Sequence, residues 1–143
     1  MKSKVIEHLK ASGHQVIDHG SYTPDLVDFP DISKTVCESI RKQEAERGLM
    51  VCGTGIGASI AANKIPGIRA ALCHDIHSAH QCVEHDDANI MCLGAKIVGE
   101  WLAYDLIDSF LAATFSTELQ FRRRVEKLHL MEIEAARELK EKI

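Results

Sequence analysis

The junction at residues 48–64 constrains this chain more than any other feature. Gly48-Leu49-Met50-Val51-Cys52 is a compact apolar run, Gly53-Thr54-Gly55-Ile56-Gly57 is a glycine-rich turn, and Ala58 to Lys64 favours helix. A short apolar run without alternation is the mark of a strand buried on both faces, as in a parallel sheet. Other segments follow the same alternation. Strands are predicted at Gln15–Asp18, Ile68–Cys73 and Asn89–Leu93. Helices are predicted over 2–12, for about fifteen residues from an N-cap at Asp31, near 77–84, over 98–113, and from Glu118 to the end. Strands alternating with helices imply an α/β fold, a parallel sheet covered on both faces.

At 143 residues the chain is sized for one domain, spanning 1–143. A formal charge of −4 argues against a nucleic-acid partner, which selects a basic patch. No apolar run approaches the ~18 residues of a membrane span, so no membrane partner is expected. Met1-Lys2-Ser3-Lys4 leads into charged residues rather than a secretory core, which makes a cytoplasmic enzyme the default. The five cysteines are odd in number, form no CxxC pair and lack zinc-site spacing. His74, His77 and His80 recur at three-residue spacing, but His80 falls about 60° off a shared helix line and no carboxylate sits among them. Exposed helix histidines are the expectation there, and neither metal nor cofactor is expected.

Only Cys52 has a neighbourhood that calls for chemistry. It stands at the carboxyl end of a strand, where open α/β sheets bind ligands. Exposed amides and a helix N-terminus at such a turn stabilise negative charge, which favours a thiolate. The same amides could hold an enediolate oxygen, the charge that develops when a proton leaves a carbon beside a carbonyl. A tight turn beside a buried cysteine explains the local residues equally well.

The longer string shifts that balance. Cys52 to Gly57, Ser59 to Lys64 and Gly67-Ile68-Arg69-Ala70-Ala71-Leu72-Cys73-His74-Asp75 closely resemble the core of the ribose-5-phosphate isomerase B family, which includes the galactose-6-phosphate isomerase subunits. Val27 to Asp31, Glu84 to Asn89 and Cys92 to Lys96 extend the resemblance over about residues 2–126. It implies a three-layer Rossmann-like fold with a mostly parallel five-stranded sheet, and a homodimer with active sites at the interface, a dimer of dimers being the larger alternative. It also implies metal-free aldose–ketose isomerisation of a phosphorylated sugar, ribose 5-phosphate foremost. By the same resemblance Cys52 is the base, Gly53, Gly55, Ile56 and Gly57 cradle substrate oxygens, and Thr54 assists ring opening. His85 matches the ring-opening acid, donated from a neighbouring subunit; Asp86 follows it; Lys96 and Arg124, or Arg123 without a gap, face the phosphate. The helix over 118–143 is expected in dimer packing.

Departures from the family pattern are specific. Phe29 stands for a tyrosine, Asp86 for an asparagine, Lys96 for an arginine and Gln120 for another arginine. Family members open on a strand ending in Asp-His, whereas Met1-Lys2 aligns with the start of the following helix. The strands near Val16 and Val51 should then flank a gap of roughly 9–10 Å, twice the usual spacing. The expectation is that an upstream segment fills it in the native gene product, the alternative being that the two strands re-pair. A non-catalytic or partner subunit of a hetero-oligomeric isomerase is the competing functional reading.

Overall fold

The computed structural model describes residues 1–143. In chain order the elements are α1 (Lys2–Ala11), α2 (Phe29–Arg41), β1 (Gly48–Cys52), α3 (Ile56–Ala62) and β2 (Ala70–Leu72), followed by α4 (Ile76–Glu84), β3 (Ile90–Gly94), α5 (Glu100–Ala112) and α6 (Leu119–Glu141). Helix α2 starts three residues before the expected cap, with Asp28 at the N-cap and Pro30 in the first turn. Proline needs no amide partner there, and its fixed φ suits a helix start. Helix α4 is capped by Asp75, whose carboxylate accepts the Ser78 amide at 2.7 Å.

The sheet is wholly parallel, in the order β1-β3-β2, with Gly48 opposite Ile90 and Ala70 opposite Ile90. All five residues of β3 are buried, as a central strand covered on both faces requires. Side chains alternate between two layers. Met91 and Leu93, with Leu49 and Val51, pack under α1, α4 and α5, around Leu106, Ile107 and Phe110. Ile90 and Cys92, with Met50 and Cys52, pack against α2 and α3, around Cys37, Ala58 and Ala62. The three-layer α/β architecture is therefore as expected.

The five-stranded sheet is not. Three strands form, and residues 15–18, read as a fourth, adopt no strand. The amides and carbonyls of Gln15, Val16 and Ile17 make no hydrogen bond within the chain. A strand is defined by its ladder, and here the ladder has nothing to pair with. A trench of about 1140 Å³ lies between this segment and β1, walled by Val5, Leu9, Val16, Ile17, Leu49 and Val51. The expected gap is thus present, and the two segments do not re-pair across it.

Helix α6 buries one residue, Phe121. The Gly67 amide donates to the Glu132 carboxylate at 3.1 Å, while Leu128 and Met131 stay exposed.

Candidate active site

Strand β1 ends on Cys52, half-buried, with its side chain toward the α2/α3 layer. The turn beyond it is held from its far side by the turn after β3. The Ala95 amide donates to the Cys52 carbonyl at 2.7 Å and the Lys96 amide to the Gly53 carbonyl at 3.0 Å. Two glycines allow the turns to interlock. Gly55 has φ +79°, and a Cβ there would meet Leu72 Cδ1 at 2.6 Å. A Cβ on Gly94 would stand 2.8 Å from the Thr54 Cα and carbonyl oxygen. Side chains at either position would drive the turns apart.

Held this way, the turn leaves the amides of Gly53, Thr54, Gly55 and Gly57 without a partner in the chain. The Ile56 amide makes a 3.4 Å contact to Thr54 Oγ1. Free amides in a turn that directly follows a half-buried cysteine are suited to an oxyanion. Helix α3 has only seven residues, so these local amides rather than a long helix dipole supply the field. The Phe29 ring closes one side, 3.0–3.2 Å from where a Gly57 Cβ would lie. The position that lacks the family hydroxyl therefore faces the turn with an apolar surface.

Sequence reasoning missed one neighbour of this centre. His74 Nε2 accepts the Gly94 amide at 2.9 Å, bracing the second turn, so it is not an exposed helix histidine. His80 Nε2 lies 3.5 Å from Glu84, and the three histidines share no focus. Away from this centre, on α4, Cys82 is also set apart from the other thiols. Burial pushes the Cys37 thiol up to about 11 and the Cys92 thiol up to about 12. Cys73, which donates its S–H to Cys82 at 4.0 Å, is raised by that bond and by burial, while Cys82 is lowered as the acceptor. Cys82 is thus a thiol whose ionisation the fold favours, through the S–H that Cys73 donates to it.

The remaining predicted residues stand elsewhere. Helix α4 leaves the carboxyl edge of β2 and returns to the amino edge of β3, so its C-cap, His85, lies at the edge opposite Cys52. Five strand residues separate the two edges, roughly 15 Å. His85 stacks on Phe121 at 3.9 Å and 14°, and the Arg124 guanidinium lies over the Phe121 ring, 5.6 Å from its centre. Asp86 adjoins, its carbonyl accepting from Arg69 Nε at 3.1 Å, and Arg123 is exposed on α6. One chain thus carries two clusters: Cys52, Thr54, the glycines, Ile56 and Lys96 at the carboxyl edge, and His85, Asp86, Arg123 and Arg124 toward the amino edge.

A sequence model of the family described as Ribose/Galactose Isomerase matches residues 1–128, most of the chain. The chain belongs to the ribose/galactose isomerase family. Ribose-5-phosphate isomerase B of Escherichia coli K12 is 35% identical over 132 residues, 92% of this chain and 88% of the relative. Galactose-6-phosphate isomerase subunit LacB of Clostridium acetobutylicum is 41% identical over 115 residues, 80% of this chain and 66% of the relative. The solved structure of ribose-5-phosphate isomerase B from Clostridium thermocellum superposes with a TM-score of 0.91 at 42% identity, covering 94% of this chain and 90% of that one. The family membership makes this chain a sugar-phosphate isomerase by kinship. The match to both ribose and galactose members leaves the sugar open.

Proposed function

We propose that the chain interconverts a phosphorylated aldose and its ketose, with ribose 5-phosphate and ribulose 5-phosphate as the pair. The observation that carries this is Cys52 at the carboxyl edge of β1, followed directly by a turn of free amides. In the proposed reaction the Cys52 thiolate takes the proton from carbon 2 of the open-chain aldose. The electron pair moves to the carbonyl, and the resulting enediolate oxygen rests on the Gly53–Gly57 amides. The hydroxyl proton on O2 passes to O1, and return of the first proton to carbon 1 gives the ketose, so the step balances without an oxidant or a cofactor. Thr54 and His85 serve ring opening. Lys96 and Arg124, or Arg123, face the phosphate, with Lys96 acting as a point charge rather than a planar fork.

Because His85 and Cys52 occupy opposite edges of one chain, this reading places each site between two copies. The Cys52 cluster of one subunit meets the His85 cluster of the other, with α6 packed between them, and the assembly extends to a dimer of dimers. The test is isomerisation of ribose 5-phosphate beside galactose 6-phosphate, with the intact chain and Cys52→Ala. Turnover of ribose 5-phosphate, lowered by about 10²–10⁴-fold in the variant, is the expected result. Near wild-type turnover in Cys52→Ala removes Cys52 from the mechanism. The similarity to a LacB subunit supports one second reading, a partner in a hetero-oligomer. In that case the chain alone turns over neither sugar at any concentration.

A further inference from the structure

Two cysteines that the proposed isomerisation does not use meet between the sheet and α4. Cys73 follows the last residue of β2 and is 1% exposed. Cys82 stands in the second turn of α4 and is half-buried. Cys73 donates its S–H to Cys82, with the two sulfurs 4.0 Å apart. Cys82 turns its own S–H to the Ala79 carbonyl at 3.3 Å, which leaves its lone pairs toward Cys73. Sequence distance does not single out this pair, because Cys92 is about as near to Cys82 along the chain as Cys73 is. The sheet does. Cys92 packs with Cys37 on the α2/α3 side, whereas Cys73 and Cys82 share the α4/α5 side. The S–H from Cys73 favours the Cys82 thiolate, and the Arg47 charge adds to that against burial and Asp86. A thiolate is the form that oxidants attack.

We propose that Cys82 and Cys73 form a modification site for hydrogen peroxide, which oxidises Cys82 and leaves the pair joined by a reversible disulfide. The half-buried thiol meets the oxidant, and the buried one resolves the product. In the first step the Cys82 sulfur attacks one peroxide oxygen, the O–O bond breaks, and the departing hydroxide takes up a proton as water. In the second, the Cys73 sulfur attacks the Cys82 sulfur of the resulting sulfenic acid. The S–O bond breaks, and the Cys73 proton leaves with the hydroxide as a second water. Both thiols are thereby oxidised to the disulfide, and the peroxide is reduced to water. The new bond draws the sulfurs to about 2.05 Å and ties the end of β2 to α4 across the Asp75 cap. His74, next to Cys73, braces the turn against Cys52, so the cross-link adjoins a support of the candidate active site. Neither sulfur takes part in the proposed isomerisation, and the modification does not rest on it.

The test treats the folded chain with hydrogen peroxide, blocks the remaining thiols with N-ethylmaleimide under denaturing conditions, and maps the peptides by mass. Cleavage after basic and acidic residues, at Arg69, Asp75 and Glu84, puts Cys52, Cys73, Cys82 and Cys92 on separate peptides. The Cys73 and Cys82 peptides should appear joined, in a chain of monomer mass, and dithiothreitol should release them. That product should exceed any Cys82–Cys92 product by at least about tenfold, whereas a chain oxidised in urea should give the two in comparable amounts. Cys82→Ser, a change at the more exposed position, should leave Cys73 unoxidised in the folded chain. Recovery of Cys82 as a free thiol, as a sulfinic acid beside a free Cys73, or as a link between two chains overturns the proposal. So does an equal excess of the Cys73–Cys82 product in urea, since the fold would then select nothing. Because the readout is peptide mass rather than turnover, failure here leaves the isomerase reading standing.

Discussion

At the scale of single residues, His85 and Gly55 carry separable expectations. In the proposed reaction His85 shuttles a proton between ring oxygen and anomeric hydroxyl, a task only a cyclic substrate presents. His85→Asn should slow a mostly cyclic sugar phosphate by about 10²-fold or more and spare an open-chain one, read from kcat on the two substrates. Equal losses on both would assign His85 to binding. Gly55→Ala meets two obstacles, a left-handed φ and the Leu72 methyl at 2.6 Å. Its cost is about 1–3 kcal/mol, which scanning calorimetry should read as a clearly lowered Tm. An unchanged Tm would show that the turn relaxes freely. Cys52 was legible as a candidate because its type and its glycine context are local. His74 was not, since what gives it a role is a hydrogen bond to Gly94, twenty residues away.

Elements set the pH behaviour. Cys37 on α2 and Cys92 on β3 are buried thiols whose folded values, about 11 and about 12, lie above the ordinary 9.0. A raised folded value means that the native state holds its proton longer than the unfolded chain does. The contribution is complete below pH 9.0 and is lost as pH climbs through about 11 to about 12. Tm should therefore fall steadily from pH 9 to pH 11, and Cys92→Ala should flatten part of that slope. A Tm constant over that interval would contradict the burial of both thiols. Asp75 has the opposite sign, since the Ser78 amide holds its carboxyl below the ordinary 3.8. The α4 cap persists above that value and is lost below it, so α4 amides should exchange faster under acid while β3 amides stay protected. Helix and strand positions were largely legible, because periodicity and glycine turns are local signals. The strand at 15–18 was not, since its apolar residues are present but no neighbouring backbone pairs with them.

At the scale of the whole molecule, the opposite placement of the two clusters makes a prediction that no single-chain site shares. Chains of Cys52→Ala and His85→Asn, each strongly slowed on a cyclic sugar phosphate, should recover activity on it when unfolded and refolded together. In a two-fold dimer, random mixing makes half the assemblies hybrid, and one of the two sites in each hybrid is intact, giving about a quarter of wild-type activity. No recovery would mean that both residues serve the same subunit's site. Introducing charge at exposed α6 positions, as in Leu128→Glu with Met131→Glu, should shift the sedimentation mass toward the monomer and lower turnover with it.

By itself the sequence determined the α/β class, the buried parallel strands and the glycine turn beyond Cys52. Each of these follows from residues that are neighbours along the chain, where backbone sterics and side-chain periodicity act directly. Only the tertiary structure decided that three strands rather than five form the sheet. It also decided that Leu49 and Val51 line a trench, and that Cys52 and His85 stand at opposite edges. Those outcomes depend on which backbone lies beside which and on the direction in which α4 crosses the sheet. Both are set by long-range pairing, and no local pattern encodes them.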